Sequence, residues 1–298
     1  MKLIALFLGL LFERTATRAL HLRELRWLDP YFDAALARVA GLSRPVAYLV
    51  AALAIGLPAL PILGLAIAFS DILNGLIYIG FAALVLVFSL GPRDLGREVD
   101  DYAEAVESDD QEAVKRLTKE LIESDAPGEE GRRVLAVEEA VLVQANNRIF
   151  GVIFWFMVLG ATGAWLFRVT DLMRRRAVFE AGRARERGDP QPRYLIVVQS
   201  LYGLLAWLPA RLLAVGYAMA GSFEDAVSDW KAYYEDCSDK FFHVSDDVLA
   251  CAGRGAIREQ FSSEAALQPI RAAMRLVNRT LLVWVTVISV LTIVGGAA

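Results

Sequence analysis

The chain has very few of the side chains that hold transition metals. Its 298 residues include two cysteines and two histidines. Cys237 and Cys251 lie in a charged segment without CxxC spacing, so we interpret them as free thiols on the cytoplasmic side and leave a disulfide open as the alternative. His21 and His243 are isolated in the sequence, which is typical of structural or surface residues rather than ligands. The sequence therefore predicts no metal site.

Generic catalytic signatures are also missing. The chain contains no Walker A loop, no GxGxxG after a strand and no HExxH sequence. The formal net charge of −4 gives no reason to expect a nucleic-acid partner. On these grounds we predict no cofactor, no nucleic acid and no recognisable catalytic residue.

What the chain has in abundance is apolar sequence. Hydrophobic residues make up 56% and the mean hydropathy is +0.42, which is too apolar for a soluble domain of this length. Charged residues still reach 22%, so a substantial part must face water. The composition predicts an all-α polytopic membrane protein with about four to six membrane-embedded helical segments, some of them re-entrant, and a cytosolic helical layer.

The apolar segments can be placed along the chain. They are residues 1 to about 25, Val46 to Ala68, Ile72 to Leu90, Ile149 to Phe167, Leu195 to Ala220 and Thr280 to Val294. Glu13 and Arg14 stand where a signal peptide would have its cleavage site, so we predict that the first segment is retained. Pro58 and Pro61 remove two backbone donors and predict a break within the second segment.

Two polar stretches, 91–147 and 221–278, separate these segments. Leu95, Val99 and Tyr102 follow the spacing of a helix with one buried face. We predict that both stretches are cytosolic helical insertions within a single membrane domain over residues 1–298.

Between Glu138 and Arg168, carboxylates and amides lead directly into an apolar run with Gly160 and Gly163 at its centre. This order of residues predicts a polar site at a membrane face. The alternative is that Glu138 and Glu139 are solvated residues of a cytosolic helix.

The arginine-rich stretch that follows is predicted to be a cytoplasmic loop from Arg168 to Arg193, by the positive-inside rule. The segments Val46–Ala68 and Ile72–Leu90 are predicted to cross the membrane as a helical hairpin that leaves residue 91 in the cytoplasm. If the run from Ile149 to Phe167 then crosses once, the arginine-rich stretch lies on the opposite side. Either the run from Ile149 to Phe167 re-enters as two half-helices that meet at residues 160–163, or the positive-inside rule fails here. We favour re-entry, because irregular backbone at membrane depth is tolerated when protein surrounds it.

A series of short motifs in a fixed order covers most of the chain. The motifs are Leu10-Leu11-Phe12-Glu13-Arg14, Gly91-Pro92-Arg93-Asp94-Leu95 with Tyr102, Glu139, Phe154-Trp155 to Phe167-Arg168, Trp207-Leu208-Pro209-Ala210-Arg211-Leu212, and Ser245-Asp246-Asp247-Val248-Leu249 with Gly253 and Gly255-Ala256. The set resembles the AmpE family of inner-membrane proteins, within a wider group that includes CobD and CbiB. This resemblance implies a multi-pass protein of the bacterial inner membrane with a regulatory or sensory role in cell-wall recycling and β-lactamase induction. Membrane lipids and a cell-wall-derived or amphiphilic small molecule are the implied partners, and the oligomeric state stays open.

The cobalamin branch of this group forms an amide between cobyric acid and an aminopropanol, using ATP. Its pattern is roughly Glu-x-x-x-Glu-Asn-x-x-Asp, and here Glu139 is retained while Val143, Gln144 and Asn147 stand at the later positions. Two lost carboxylates remove candidate metal or acid–base groups. The resemblance therefore implies a shared fold with an ancestral pocket, and an amide-forming ligase is the alternative function.

The resemblance also implies which residues line that polar pocket: Glu13, Asp94, Glu139, Asn147, Arg168, Arg211 and Asp247. Arg211 lies in the middle of an apolar run, where a charge either needs a partner or snorkels from a helix end, here one created by a break at Pro209. We expect its partner to be Glu139.

Overall fold

The computed structural model describes residues 2–16, 25–70, 75–91, 94–124, 126–236, 245–257 and 267–296, and the side chains of all of these except 13–16, 233–236 and 296. The described residues form helices and connecting turns and contain no strand, so the all-α prediction is confirmed. The α-helices are α1 Lys2–Ala16, α2 Asp29–Ala40, α3 Arg44–Gly56, α4 Leu60–Phe69, α5 Leu76–Ser89, α6 Leu95–Glu107, α7 Gln111–Ile122, α8 Glu130–Ala145, α9 Gly151–Leu159, α10 Ala161–Glu186, α11 Arg193–Ala220, α12 Phe223–Asp236, α13 Ser245–Ile257 and α14 Gln268–Gly296.

The chain forms two compact units, each built from two separate stretches. Unit 1 consists of Met1–Pro92 and Asn147–Leu205, and unit 2 of Arg93–Asn146 and Ala206–Ala298. Almost all of the two polar stretches predicted as cytosolic insertions falls in unit 2.

Four helical segments of the described residues are long and apolar enough to cross a membrane. They are Arg44–Phe69, Glu130–Leu159, Arg193–Ala220 and Gln268–Gly295. The apolar part of α1 and the helix α5 are shorter. With 14 residues, α5 extends about 21 Å, less than the roughly 30 Å of hydrocarbon that the predicted return crossing would need.

The predicted break at Pro58 and Pro61 is present, as a 3-10 turn over Leu57–Ala59 between α3 and α4. Pro58 has no N–H for the carbonyl of Ala54, and the Tyr31 hydroxyl donates to that carbonyl instead, at 2.7 Å. In a 3-10 turn the N–H of residue 61 would donate to the carbonyl of Pro58, but Pro61 has no N–H. Trp165 Nε1 donates to this carbonyl instead, at 3.0 Å. Side chains of unit 1 thus replace the backbone donors that the prolines remove, as an apolar environment requires.

The same replacement occurs on α11. This helix continues through Pro209 without ending, so the break considered at that proline is not found. Pro209 leaves the carbonyl of Leu205 without its helical donor, and Trp155 Nε1 donates to it at 3.1 Å. The indole of the Phe154-Trp155 pair therefore fixes α9 against α11 within unit 1.

In unit 2, glycines allow close approach between helices. A Cβ on Gly253 would lie 2.7 Å from the Leu142 side chain, and one on Gly255 would lie 2.7 Å from the carbonyl oxygen of Asp225. Helix α13 therefore packs closely against both α8 and α12, and the motif glycines of the sequence are explained by this packing.

The run from Ile149 to Phe167 is interrupted within the predicted 160–163 region, where α9 ends and α10 begins at Gly160. This residue has φ +68° and ψ −153°, a conformation that is essentially restricted to glycine. That the run re-enters the membrane stays a prediction. The arginine-rich stretch, however, is not a loop, because α10 continues as helix to Glu186. Arginine is a good helix former, so a run of arginines does not by itself end a helix.

Candidate functional site

Helices α9 and α10 pack against each other immediately after the turn at Gly160. A Cβ on Gly163 would lie 2.3 Å from the carbonyl oxygen of Trp155, so only glycine fits where the helices touch. If Gly163 faces Trp155, then Asn147, eight residues before Trp155, falls level with Asp171, eight residues after Gly163. The turn thus brings an amide of one helix beside the charged face of the other.

Asp171 is the centre of a buried cluster of charges in unit 1. Its carboxylate lies 3.1 Å from Arg168 Nη1, 2.8 Å from Arg174 Nη2 and 3.2 Å from Arg175 Nε. Arg168 and Asp171 have no exposed surface at all. The spacing of these residues, i and i+3 or i+4, places all four on one side of α10. A carboxylate that lies against three guanidinium groups and is itself shielded from water is held far more strongly than a surface ion pair.

Tyr202 of α11 joins this cluster to Asn147. Its hydroxyl donates to Asn147 Oδ1, its ring lies 6.1 Å from the Phe167 ring, and the Arg174 guanidinium lies 4.8 Å above it. These contacts show the same juxtaposition of Asn147 with the Asp171 level of α10. Asn147 itself is 1% exposed, and its Nδ2 has no hydrogen-bond partner among the described residues.

The segment that carries Asn147 is π-helical, from Asn146 to Phe150. Such π segments are rare and occur frequently at functional sites. At its start the Asn146 N–H bonds to the carbonyl of Val143, and in unit 2 the carbonyl of Leu142 accepts from the Tyr217 hydroxyl at 2.8 Å. Asn146 is fully buried, and neither of its amide atoms has a partner in the described part of the chain.

In unit 2, Glu139 pairs with Arg254 of α13 at 3.1 Å, and the two side chains are 37% and 45% exposed. Neighbouring Glu138 is buried, so the interpretation of both glutamates as solvated residues is wrong for Glu138. The expected pair between Arg211 and Glu139 is not formed, because the Glu139 carboxylate lies against Arg254.

Arg211 contacts other groups. Its Nη1 donates to the carbonyl of Trp207 at 3.0 Å and to Ser245 Oγ at 3.2 Å, and its guanidinium lies 4.6 Å from the Trp207 ring centre. Ser245 and Arg254 are nine residues apart on α13, about 13 Å along the helix. Arg211 and Glu139 therefore contact α13 at separate points rather than each other.

Cys251 lies between these points on α13 as a free thiol. Partial burial raises the pKa of this thiol, and the carboxylates of Asp247 and Glu139 raise it further, while Arg254 lowers it. Two residues of the predicted pocket thus act on the same thiol.

The raised pKa of Cys251 predicts slow alkylation, because the thiolate is the reactive form and a higher pKa leaves less of it at pH 7. In a Cys237→Ser background, the rate of reaction with iodoacetamide should rise steadily as the pH increases from 7 to 9. Glu139→Gln removes a charge that raises the pKa, so it should speed the reaction at pH 8. Glu112→Gln, on the exposed face of α7, is the matched control and should leave the rate unchanged. Equal rates in the two variants would contradict this assignment.

The structure places six of the seven predicted pocket residues. Asn147 and Arg168 belong to the buried cluster of unit 1, and Asp94, Glu139, Arg211 and Asp247 belong to unit 2. The side chain of Glu13 lies outside the described residues. Asp94 caps α6, accepting from the Gly96 N–H at 2.9 Å, which is a structural role. That all seven share one pocket stays a prediction.

Sequence reasoning missed Asp171, Arg174 and Tyr202. A signal for the first two was present, since Arg168, Asp171 and Arg174 follow i, i+3, i+6 spacing, but it has meaning only on a helix. Tyr202 is one of several aromatic residues in an apolar run, and nothing local distinguishes it. Among the described residues, no group of histidine, cysteine, aspartate and glutamate could hold a metal ion.

Comparison with known proteins adds to this geometry. The model of the family described as "Regulatory signalling modulator protein AmpE" matches residues 1–298. The chain belongs to the AmpE family.

Two curated proteins that resemble the chain are described as CobD and not as AmpE. A cobalamin biosynthesis protein CobD of Stutzerimonas stutzeri is 30% identical over 153 residues, which are 50% of this chain and 48% of that protein. A protein of the same description from Chromobacterium violaceum is 24% identical over 232 residues, 72% of this chain and 71% of that protein. The match to the first of these relatives thus spans about half of its length. No solved structure matches the chain. The predicted resemblance to AmpE within a wider group that includes CobD is confirmed.

Proposed function

We propose that this AmpE-family protein is a multi-pass protein of the bacterial inner membrane that regulates β-lactamase induction in response to products of cell-wall recycling. The observation that carries the proposal is the match of the regulatory family model over the whole chain. The four helical segments of membrane-spanning length among the described residues support the location. The buried polar cluster around Asp171 supports the second part, because charged groups that are buried away from water are costly and often serve a ligand or a coupled movement.

The proposed ligand is a cell-wall-derived or amphiphilic small molecule, and the surrounding membrane lipids are the other partner. In unit 1 the helices that carry the polar cluster also carry exposed apolar side chains, such as Phe179 of α10 and Leu204 of α11. A molecule with both polar and apolar parts matches such surroundings better than a fully polar one.

The function can be tested in a bacterium with an inducible β-lactamase, after deletion of its own family member. The deletion should lower the ratio of induced to uninduced β-lactamase activity after exposure to a β-lactam, and expression of this protein should restore it. A variant with Asp189→Asn, an exposed position, should restore it equally well. The same plasmids would be placed in a strain that lacks cobinamide-phosphate synthase. Rescue of cobalamin synthesis there, with no effect on induction, would replace the regulatory proposal by the ligase.

The orientation of α10 tests the location. The excess of arginine in its second half predicts that this part is cytoplasmic. In a background without Cys237 and Cys251, Glu186→Cys at the exposed end of α10 should resist a membrane-impermeant maleimide in intact spheroplasts and react after permeabilisation.

Glu112→Cys, in the stretch predicted to be cytosolic, is the matched reporter and should behave in the same way. If Glu186→Cys reacts in intact spheroplasts while Glu112→Cys does not, the chain crosses the membrane between α8 and the end of α10. That result would exclude the re-entrant hairpin.

A further inference from the structure

Asn147 holds a hydrogen-bond donor inside unit 1 that the described residues do not use. Its side chain is 1% exposed, so water does not reach the amide freely. Oδ1 accepts from the Tyr202 hydroxyl, which fixes the amide plane, while Nδ2 has no partner in the described part of the chain. A buried donor without an acceptor is costly, and such groups call for a ligand, an ion or an ordered water.

The position of this donor also points to a ligand. Asn147 lies in the π-helical segment Asn146–Phe150, a local irregularity of the kind that is retained at functional sites. The residue is held on two sides: its own segment fixes the backbone, and Tyr202 fixes the side chain. The donor is therefore pre-oriented, which lowers the entropic cost of binding.

The neighbouring groups indicate what Nδ2 would bind. Tyr202 carries the Arg174 guanidinium over its ring, and Arg168 and Arg174 both bind Asp171. Guanidinium groups only donate hydrogen bonds, and the Tyr202 hydroxyl already donates to Oδ1. A ligand group with several acceptor oxygens and a negative charge suits these donors, and it matches the planar geometry with which arginine binds carboxylate and phosphate.

We infer that the polar cluster of unit 1 is an oxyanion-binding site, in which Asn147 Nδ2 donates to a carboxylate or phosphate oxygen of the ligand. This names the chemical class of the ligand in the proposed function and rests on that function for its biological meaning. The oxyanion has two sources, the head group of a membrane phospholipid or a soluble small molecule, and both present the same oxygens to the amide.

Asn147→Asp is the sharpest variant for a test. It keeps an oxygen that accepts from Tyr202 and replaces the donor Nδ2 by a second acceptor oxygen. Asn278→Asp makes the same change on the exposed face of α14 and is the matched control. The purified full-length proteins, delipidated in detergent, would be titrated with inorganic phosphate, acetate and short-chain phosphatidylglycerol. Binding would be followed by thermal shift at constant ionic strength and by native mass spectrometry.

We expect the wild type and Asn278→Asp to bind at least one of these probes, and Asn147→Asp to bind it at least about tenfold more weakly, as for the loss of a hydrogen bond to a charged group. Loss confined to phosphate or acetate identifies a soluble ligand, and loss confined to phosphatidylglycerol identifies a lipid head group. Equal affinities of the Asn147→Asp and Asn278→Asp proteins, or no binding of any probe by the wild type, would overturn the inference.

A folding defect is separated by a second variant. If Asn147→Asp does not elute as a single species, Asn147→Leu, which removes the donor without adding charge, is used with the same expectation. Binding is measured on the purified protein and β-lactamase induction in cells, so the oxyanion site and the regulatory function can fail independently.

Discussion

Asp171→Asn should lower the free energy of unfolding in detergent by about 3–5 kcal/mol, the usual cost of removing one partner of a buried ion pair. The asparagine has nearly the same shape, so no cavity is left and the effect isolates the charge. Arg168, which has no exposed surface, would keep its positive charge without the carboxylate that lies 3.1 Å away. Intrinsic tryptophan fluorescence during thermal unfolding would measure the loss.

The control for this variant is another aspartate that binds an arginine. Asp189 pairs with Arg187 at 3.0 Å, but the two side chains are 54% and 57% exposed. Asp189→Asn should therefore change the stability by less than about 1 kcal/mol. If Asp171→Asn proved as mild as Asp189→Asn, Asp171 would not be the centre of the cluster.

Gly160→Ala should also destabilise the protein strongly, because it acts on the turn between α9 and α10. At φ +68° and ψ −153° a side chain is strained by about 1–3 kcal/mol. The added Cβ would in addition lie 2.9 Å from the Tyr78 hydroxyl, which would have to move. Since the turn sets which residues of α9 and α10 face each other, the variant should also displace Asn147 from the level of Asp171.

Gly182→Ala, on the exposed face of α10, separates this effect from a general response to a methyl group. No atom lies within 4 Å of the added Cβ there, and alanine should stabilise the helix by up to about 1 kcal/mol relative to glycine. Thermal unfolding of both variants, together with phosphate or lipid binding by each, would show whether the turn supports the site. A Gly160→Ala protein with the stability and binding of the wild type would contradict the role assigned to this turn.

Local chemistry made part of the fold predictable. Pro58 and Pro61 lack the N–H that a continuous helix needs, and the helix is interrupted at the predicted place. The small residues between 160 and 163 indicated a weak centre of the apolar run, and α9 and α10 meet there. In each case one residue type restricts its own backbone, so no distant contact is needed for the prediction.

Other features could not be obtained in this way. The partner of Glu139 is Arg254, not Arg211, because α13 brings Arg254 within 3.1 Å and contacts Arg211 through Ser245 instead. Asp171 is not recognisable from the sequence when the arginine-rich stretch is interpreted as a loop, because the i, i+3 relation of Arg168, Asp171 and Arg174 exists only in a helix.

The sequence by itself determined the class of this protein. An apolar composition with long segments requires membrane-embedded helices, since only structures that satisfy their own backbone hydrogen bonds are stable there. The order of the motifs determined the family, because this order is a property of the sequence and does not depend on tertiary contacts.

Only the tertiary structure decided which side chains bond to the polar groups that have no partner within their own helix. The prolines leave carbonyls without donors, and which side chains serve them, Tyr31, Trp165 and Trp155, depends on helices far apart in sequence. The same is true of Asn147, whose Oδ1 accepts from Tyr202 while Nδ2 has no partner among the described residues. Hydrogen bonds act over about 3 Å, and the sequence does not contain the distances that select one partner from many.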